Sequence, residues 1–275
     1  MLLLQRTYKD GVPGSVHLFL EGIFVAVLGA TFAAWLFPAE ASVIAVFLAS
    51  VSTTDSIERL LKWNRDQIID LGRTPREANL TLVGLLMCLF AGATTGFSIL
   101  ALALPLENTE VLFSNQLLEY GSTTIQELQF GHPLNLLVHN TYVLLFFFVI
   151  AIPFRQGGVM LAVAWNASVW AAAFSSLARN WSYDGGPGLW EAYLRIVTAC
   201  VPHMAMEAGS YCLAGLAGVF LSKALLKYSL ESEELTSVLK SVGLMLILAI
   251  LLVVSGATWE GVIAPRLVSI LTGNG

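Results

Sequence analysis

Long apolar runs broken by short polar stretches set the pattern of this chain. A bilayer core takes about 20 apolar residues of helix. Runs of that length, each stopped by polar or turn residues, fall near 15–37, 80–105, 133–154, 157–178, 191–222 and 235–258. Residues 41–53 form a shorter run, but Pro38 separates it from the first, and the polar stretch 55–70 can prolong the same helix. The pattern predicts an all-α, polytopic transmembrane helical bundle of about seven spans, with six as the alternative, in a single domain over 1–275. The run from Ser15 exceeds a signal-peptide apolar core and leads into a proline turn, so it reads as a retained helix.

Composition agrees. Apolar residues make up 56% of the chain and charged residues 12%, about half the charged share of a soluble domain, and the mean hydropathy is +0.75. The net charge of −5 is scattered over loops and tails, with no basic track for nucleic acid. The expected partner is the lipid bilayer, with other membrane proteins or a second copy of the chain as further candidates. Cys88, Cys200 and Cys212 lie in apolar runs without framework spacing and read as small packing residues.

Charge placement orients the spans. Arg59, Lys62, Arg65, Arg73 and Arg76 crowd the 54–79 connection, while 106–132 holds no lysine or arginine and carries Glu107, Glu110, Glu119 and Glu127. The first is therefore expected to be a cytoplasmic helical connection and the second an external amphipathic segment, an interfacial helix or a lid over the bundle. Seven spans put Arg6 and Lys9 inside as well, which gives a cell-membrane protein with a cytoplasmic N-terminus and an external C-terminus. Trp35, Trp181, Trp190 and Trp259 then fall at external helix ends, while Trp165 and Trp170 pack within their span. The small-xxx-small pairs Gly92/Gly96 and Ala214/Gly218 read as helix packing inside one chain.

Ionisable groups inside a span cost several kcal/mol unless paired, so they point to a site. His203 and Glu207 lie one helical turn apart on one face of a run that is otherwise apolar or small, beside the helix-kinking Pro202. The fourth span carries His132, Asn135 and His139 along one stripe with Asn140 beside it, and the fifth carries Asn166 near its middle. Together His203, Glu207, His139, Asn140, Asn166 and Asn135 form the candidate substrate or ion site. His17 and Glu21 repeat the His-xxx-Glu spacing in the first span, which runs the opposite way, and make a candidate second polar pair. If a metal is bound, His203, Glu207 and His139 are the ligands these residues could supply.

The same residues carry a family resemblance. The segment from Val201-Pro202-His203 to Glu207, followed by the small-residue run from Ala208-Gly209 to Gly218, resembles the signature of the stage II sporulation protein M family, in its archaeal, non-sporulating branch. His139-Asn140 ahead of 143–152, Asn166 within Ala164-Trp165-Asn166-Ala167, the Phe37-Pro38 turn, the run 43–49 and the stretch from Leu112-Phe113 to Gln116 are similar to other parts of that pattern. Met204 stands where the family has glycine, filling a close helix contact. The resemblance implies a scaffold or membrane-remodelling subunit, since the bacterial namesake works in a membrane complex with a peptidoglycan hydrolase and this chain holds no extramembrane domain of hydrolase size.

Three functions follow. A scaffold requires the polar cluster to be dry, fully hydrogen bonded and sealed. A transporter or channel for a small solute or ion, using Glu207 and His203, requires a cavity ending at Glu207. An intramembrane metalloenzyme requires His139, His203 and Glu207 to converge; with no HExxH and no serine nucleophile beside a matched base, a non-enzymatic role is favoured.

Overall fold

A computed structural model describes residues 13–120, 133–263 and 266–267, apart from the side chains of 119, 120 and 133. His132 and the end of the 106–132 segment lie outside the described residues. The helices are α1 (Ser15–Leu36), α2 (Ala41–Ser52), α3 (Thr54–Ile69), α4 (Pro75–Ala103), α5 (Leu106–Leu112), α6 (Ser114–Tyr120), α7 (Pro133–Phe154), α8 (Gln156–Tyr183), α9 (Leu189–Lys227) and α10 (Glu233–Thr258). Among the described residues there is no strand. The chain is an all-α, multi-pass membrane protein.

Six helices, α1, α4, α7, α8, α9 and α10, are long and apolar enough to cross a membrane, and α2 with α3 makes a further candidate bent by 42°. Their outward faces are apolar too: Leu20, Phe24, Phe146 and Ile247 are each more than half exposed. Water would penalise such a surface, whereas acyl chains do not.

Helix directions follow from which residues meet. Gly22 lies against Leu89 and Ala93, and Gly96 against Ile23 and Ala26, so α1 and α4 run parallel. Between them the chain must return, and it does so through α2: Gly29 packs on Ala45 and Ala49, while Glu21 accepts a hydrogen bond from Ser56, an antiparallel pairing. From α7 onward neighbours alternate: Gly158 meets Ala151 across the α7–α8 turn, Gly215 meets Val159 on α8, and Gly209 meets Leu252 on α10. The six long helices and the α2–α3 pair therefore alternate in direction, and the Ser15 end of α1 and the Thr258 end of α10 lie at opposite ends of the bundle.

Local chemistry sets the helix ends. Thr74 caps α4 by accepting from the Glu77 amide, with Pro75 at the first helical position, and Ser232 caps α10 through the Leu235 amide. The cap places the start of α4 at Pro75, five residues before the apolar run, so the connection is shorter than 54–79: helix α3 and a loop ending at Thr74. At the other end of α4 the Arg179 guanidinium donates to the carbonyls of Ala101, Leu102 and Leu104, satisfying acceptors that a helix terminus leaves bare.

Helix α8 is the most enclosed span and packs on α2, α4, α7 and α9. The described part of 106–132 folds as a lid over it. Gln116, almost wholly buried, accepts from the Ser42 hydroxyl at 2.6 Å and sits 3.1 Å from Ser168 Oγ on α8, while Phe113 stacks edge-on against Phe97. Gly92, Gly96 and Gly218 make the expected close approaches inside the chain, Gly218 against Phe148 and Ala151 of α7.

Candidate functional site

His203 sits in the first half of α9, next to Pro202, whose missing N–H leaves the Thr198 carbonyl without its helical donor. The ring is wedged between α8 and α10. Trp170 meets it edge-on at 5.2 Å, and its Nδ1 lies 3.1 Å from the Gly256 carbonyl oxygen. A carbonyl only accepts, so Nδ1 carries a hydrogen.

The other ring nitrogen faces two acids. Nε2 is 2.9 Å from Glu207 Oε2 and 3.0 Å from Glu260 Oε2. Neither oxygen lies in line with the ring N–H, and Nε2 is buried without a formed hydrogen bond. Glu207 is held from its far side by the Tyr211 hydroxyl, which donates to Oε1 at 2.9 Å. His203, Glu207 and Tyr211 thus form an i, i+4, i+8 stripe along α9, and Glu260 closes it from the neighbouring chain end.

Glu260 comes from the π-turn Trp259–Ile263 that follows α10. The wider turn carries the backbone back toward the bundle, and π-turns of this kind are frequent at functional sites. With the imidazole charged and both carboxylates ionised the cluster carries one net negative charge; with one carboxyl protonated it is neutral.

The cluster borders a cavity of about 840 Å³ between α2, α7, α8 and α9. Glu207, Glu260 and Tyr211 reach it at one side, and His139, Asn140 and Asn166 line it with Trp165 and Trp170. Asn166 donates to the Ala162 carbonyl of its own helix. Asn140 is buried, at 5% exposure, and makes no hydrogen bond among the described residues.

Four of the expected site residues, Glu207, His139, Asn140 and Asn166, therefore border one space, and His203 stands behind Glu207 and Glu260 at its end. Asn135 does not line the cavity; it lies on an exposed face of the first turn of α7. The spacing that joined it to His139 fails because the α7 stripe faces away from the bundle there. The His17–Glu21 pair belongs to the opposite face, near the start of α1. There His17 is largely exposed, 3.8 Å from a Glu21 that is bonded to Ser56. Unlike His203, it meets no second acid among the described residues.

The metal set is corrected as well. Among the described residues no group of three His, Cys, Asp or Glu side chains is arranged to hold a metal ion. His139 stands on α7, on the exposed rim of the cavity, rather than beside His203, so the His139–His203–Glu207 ligand set is not formed.

Two participants escaped sequence reasoning. Tyr211 continues the four-residue spacing of His203 and Glu207 and was readable from it. Glu260 follows Trp259, a residue type that marks the membrane interface, so the span is expected to end before it; only the π-turn folds the acid back. No family model, curated protein or solved structure matches the chain.

Proposed function

We propose that this protein is a proton-coupled transporter for a small solute, with Glu207 and Glu260 exchanging a proton for the cargo beside His203. One observation carries the reading: a cavity of about 840 Å³ ends at two carboxylates that flank a buried histidine. Volumes of a few hundred to about 1,000 Å³ suit small-molecule sites, and intramembrane acids mark ion and proton routes. Exchange keeps the cluster near neutrality: a bound monocation replaces the proton on one carboxyl, and no net charge is left in the low-dielectric interior.

The scaffold role implied by the resemblance to the stage II sporulation protein M family asks instead for a dry, fully bonded cluster. Asn140 without a hydrogen bond and Nε2 without an aligned one support a ligand in that space. The charge distribution supports the α3 end of the bundle as cytoplasmic and the α5–α6 end as external, which puts the cluster in the outer half of the membrane.

The test is flux in reconstituted vesicles carrying an interior pH dye, with sodium, potassium and a series of organic ammonium ions added outside. Addition of a transported cation should drive proton efflux from wild-type vesicles, and Glu207→Gln should abolish it. A wild type that moves no protons with any of these ions, or a Glu207→Gln variant that moves them equally well, would remove the proposal.

A further inference from the structure

Helices α2 and α7 both pack on α8, but among the described residues they share no extended contact with one another. The gap between them is the open side of the cavity. Its rim is made by Val43 and Phe47 of α2 and by Tyr142 and Phe146 of α7, exposed at 46%, 57%, 70% and 54%. Two adjacent spans with exposed apolar rims face acyl chains, so the opening leads sideways into the bilayer.

Inside the rim the lining changes in two ways. Aromatic rings dominate the walls: Phe146, Phe147, Trp165, Trp170 and Tyr211. At the inner end stand two acids, and no lysine or arginine lines the space among the described residues. Aromatic faces and carboxylates together recognise cations, and Trp is the strongest of the rings in that role. A third observation is independent of shape and charge. Nε2 of His203, with the residue 3% exposed, faces the two carboxylates without an aligned hydrogen bond, and Asn140, 5% exposed, lines the same space. Polar groups placed in this way favour a polar occupant at that end.

We infer that the cavity takes a lipophilic organic cation, an ammonium or phosphonium centre on an apolar body, admitted from the bilayer between α2 and α7. The inference names the cargo class for the transport reading and rests on it, but binding is measurable without flux. The groups facing the two carboxylates are known from every side. His203, Tyr211 and the nearby Cys200 come from α9, with the Gly256 carbonyl of α10 behind the imidazole; Asn166 of α8 and His139 of α7 line the same space, and α2 contributes no charge. When a monocation binds, one carboxyl O–H bond breaks and its proton leaves to solvent, while the carboxylate stays behind as counter-ion.

The experiment uses the full chain in phosphatidylcholine nanodiscs with tetraphenylphosphonium as probe, followed by calorimetry in two buffers of different ionisation heat. Saturable binding with release of about one proton is expected, weaker as the medium is acidified. Glu207→Gln and Glu260→Gln should each weaken it about tenfold or more, and Asn140→Asp, which adds a carboxylate to the wall, should strengthen it. Tetraphenylborate, the same shape with the opposite charge, should not bind at this site. Nanodiscs containing an aminophospholipid tell the two sources of ammonium apart: competition with the probe identifies a lipid headgroup as resident, and its absence a free amine, both within the inferred class. Equal binding of the two ions, or binding unmoved by all three variants, would overturn the inference. Probe binding without flux would instead overturn the transport reading alone, and proton exchange with inorganic cations without probe binding would overturn this inference alone.

Discussion

Substituting Gly92 by alanine is the sharpest test of the helix directions on which the site rests. A Cβ built there would lie 2.8 Å from the Phe19 carbonyl carbon and closer still to its oxygen; the matching atom on Gly22 would lie 2.7 Å from the Ala93 nitrogen. Carbon contacts relax at about 3.5–4.0 Å, and the obstacle is backbone, which cannot rotate away. Helices α1 and α4 would have to part by about 1 Å along their shared seam. Overpacking of this kind costs about 1–3 kcal/mol. Alanine also gains up to about 1 kcal/mol of helix propensity over glycine, so the proper reference is Gly84→Ala, where an added Cβ meets nothing within 4 Å. The difference between the two variants should therefore be about 1–3 kcal/mol, a shift of about 5- to 150-fold in the unfolding equilibrium. Reversible unfolding in mixed detergent micelles, followed by far-ultraviolet circular dichroism, reads it directly. A Gly92→Ala protein as stable as Gly84→Ala would mean that α1 and α4 do not meet there, and the parallel pairing that requires α2 to return the chain would be lost.

Arg179→Met should destabilise the protein by about 2–3 kcal/mol, because three carbonyls at the end of α4 lose a charged donor; the same micelle titration measures it, and an unchanged midpoint would rule out the cap. Gln116→Leu should free the lid at a cost of about 1–3 kcal/mol, seen as faster amide exchange over α5 and α6 with α8 unaffected, since Gln116 is the side chain that ties α6 to Ser42 and Ser168. Single cysteines placed at Ser15 and at Thr258 in a background lacking Cys88, Cys200 and Cys212 should react with membrane-impermeant maleimide from opposite sides of intact cells or vesicles, and reaction from one side would refute the odd number of passages.

The spans were legible because lipid and helix geometry demand about 20 consecutive apolar residues, and α1, α7 and α8 fall within a few residues of the runs that signal them, apart from a longer C-terminal end to α8. The start of α4 and the end of α9 were less so. Thr74 and Pro75 initiate α4 by capping chemistry that hydropathy does not register, and α9 runs through 39 residues, about 58 Å of helix, well past any bilayer. Within the site, the His203–Glu207 pair was legible from spacing alone. Asn135 was misplaced because residues four apart share a face of α7 without that face being turned inward. Glu260 was invisible for the opposite reason: its partner is 57 residues away and a single wide turn brings them together.

Helix α2 contributes only 12 residues, about 18 Å of axis, to a passage across some 30 Å of hydrocarbon. Ribosome-bound insertion machinery, which admits segments by their own apolarity, gives such a stub little reason to leave the channel alone. Its glycine-lined neighbour α1 offers Gly29 as a docking notch, and α8 arrives to cover its other side only about a hundred residues later in synthesis. If α2 crosses the membrane, its length implies a delayed settling: the stub is expected to gain its lasting place only once α8 has been made, and with it the wall that borders the cavity.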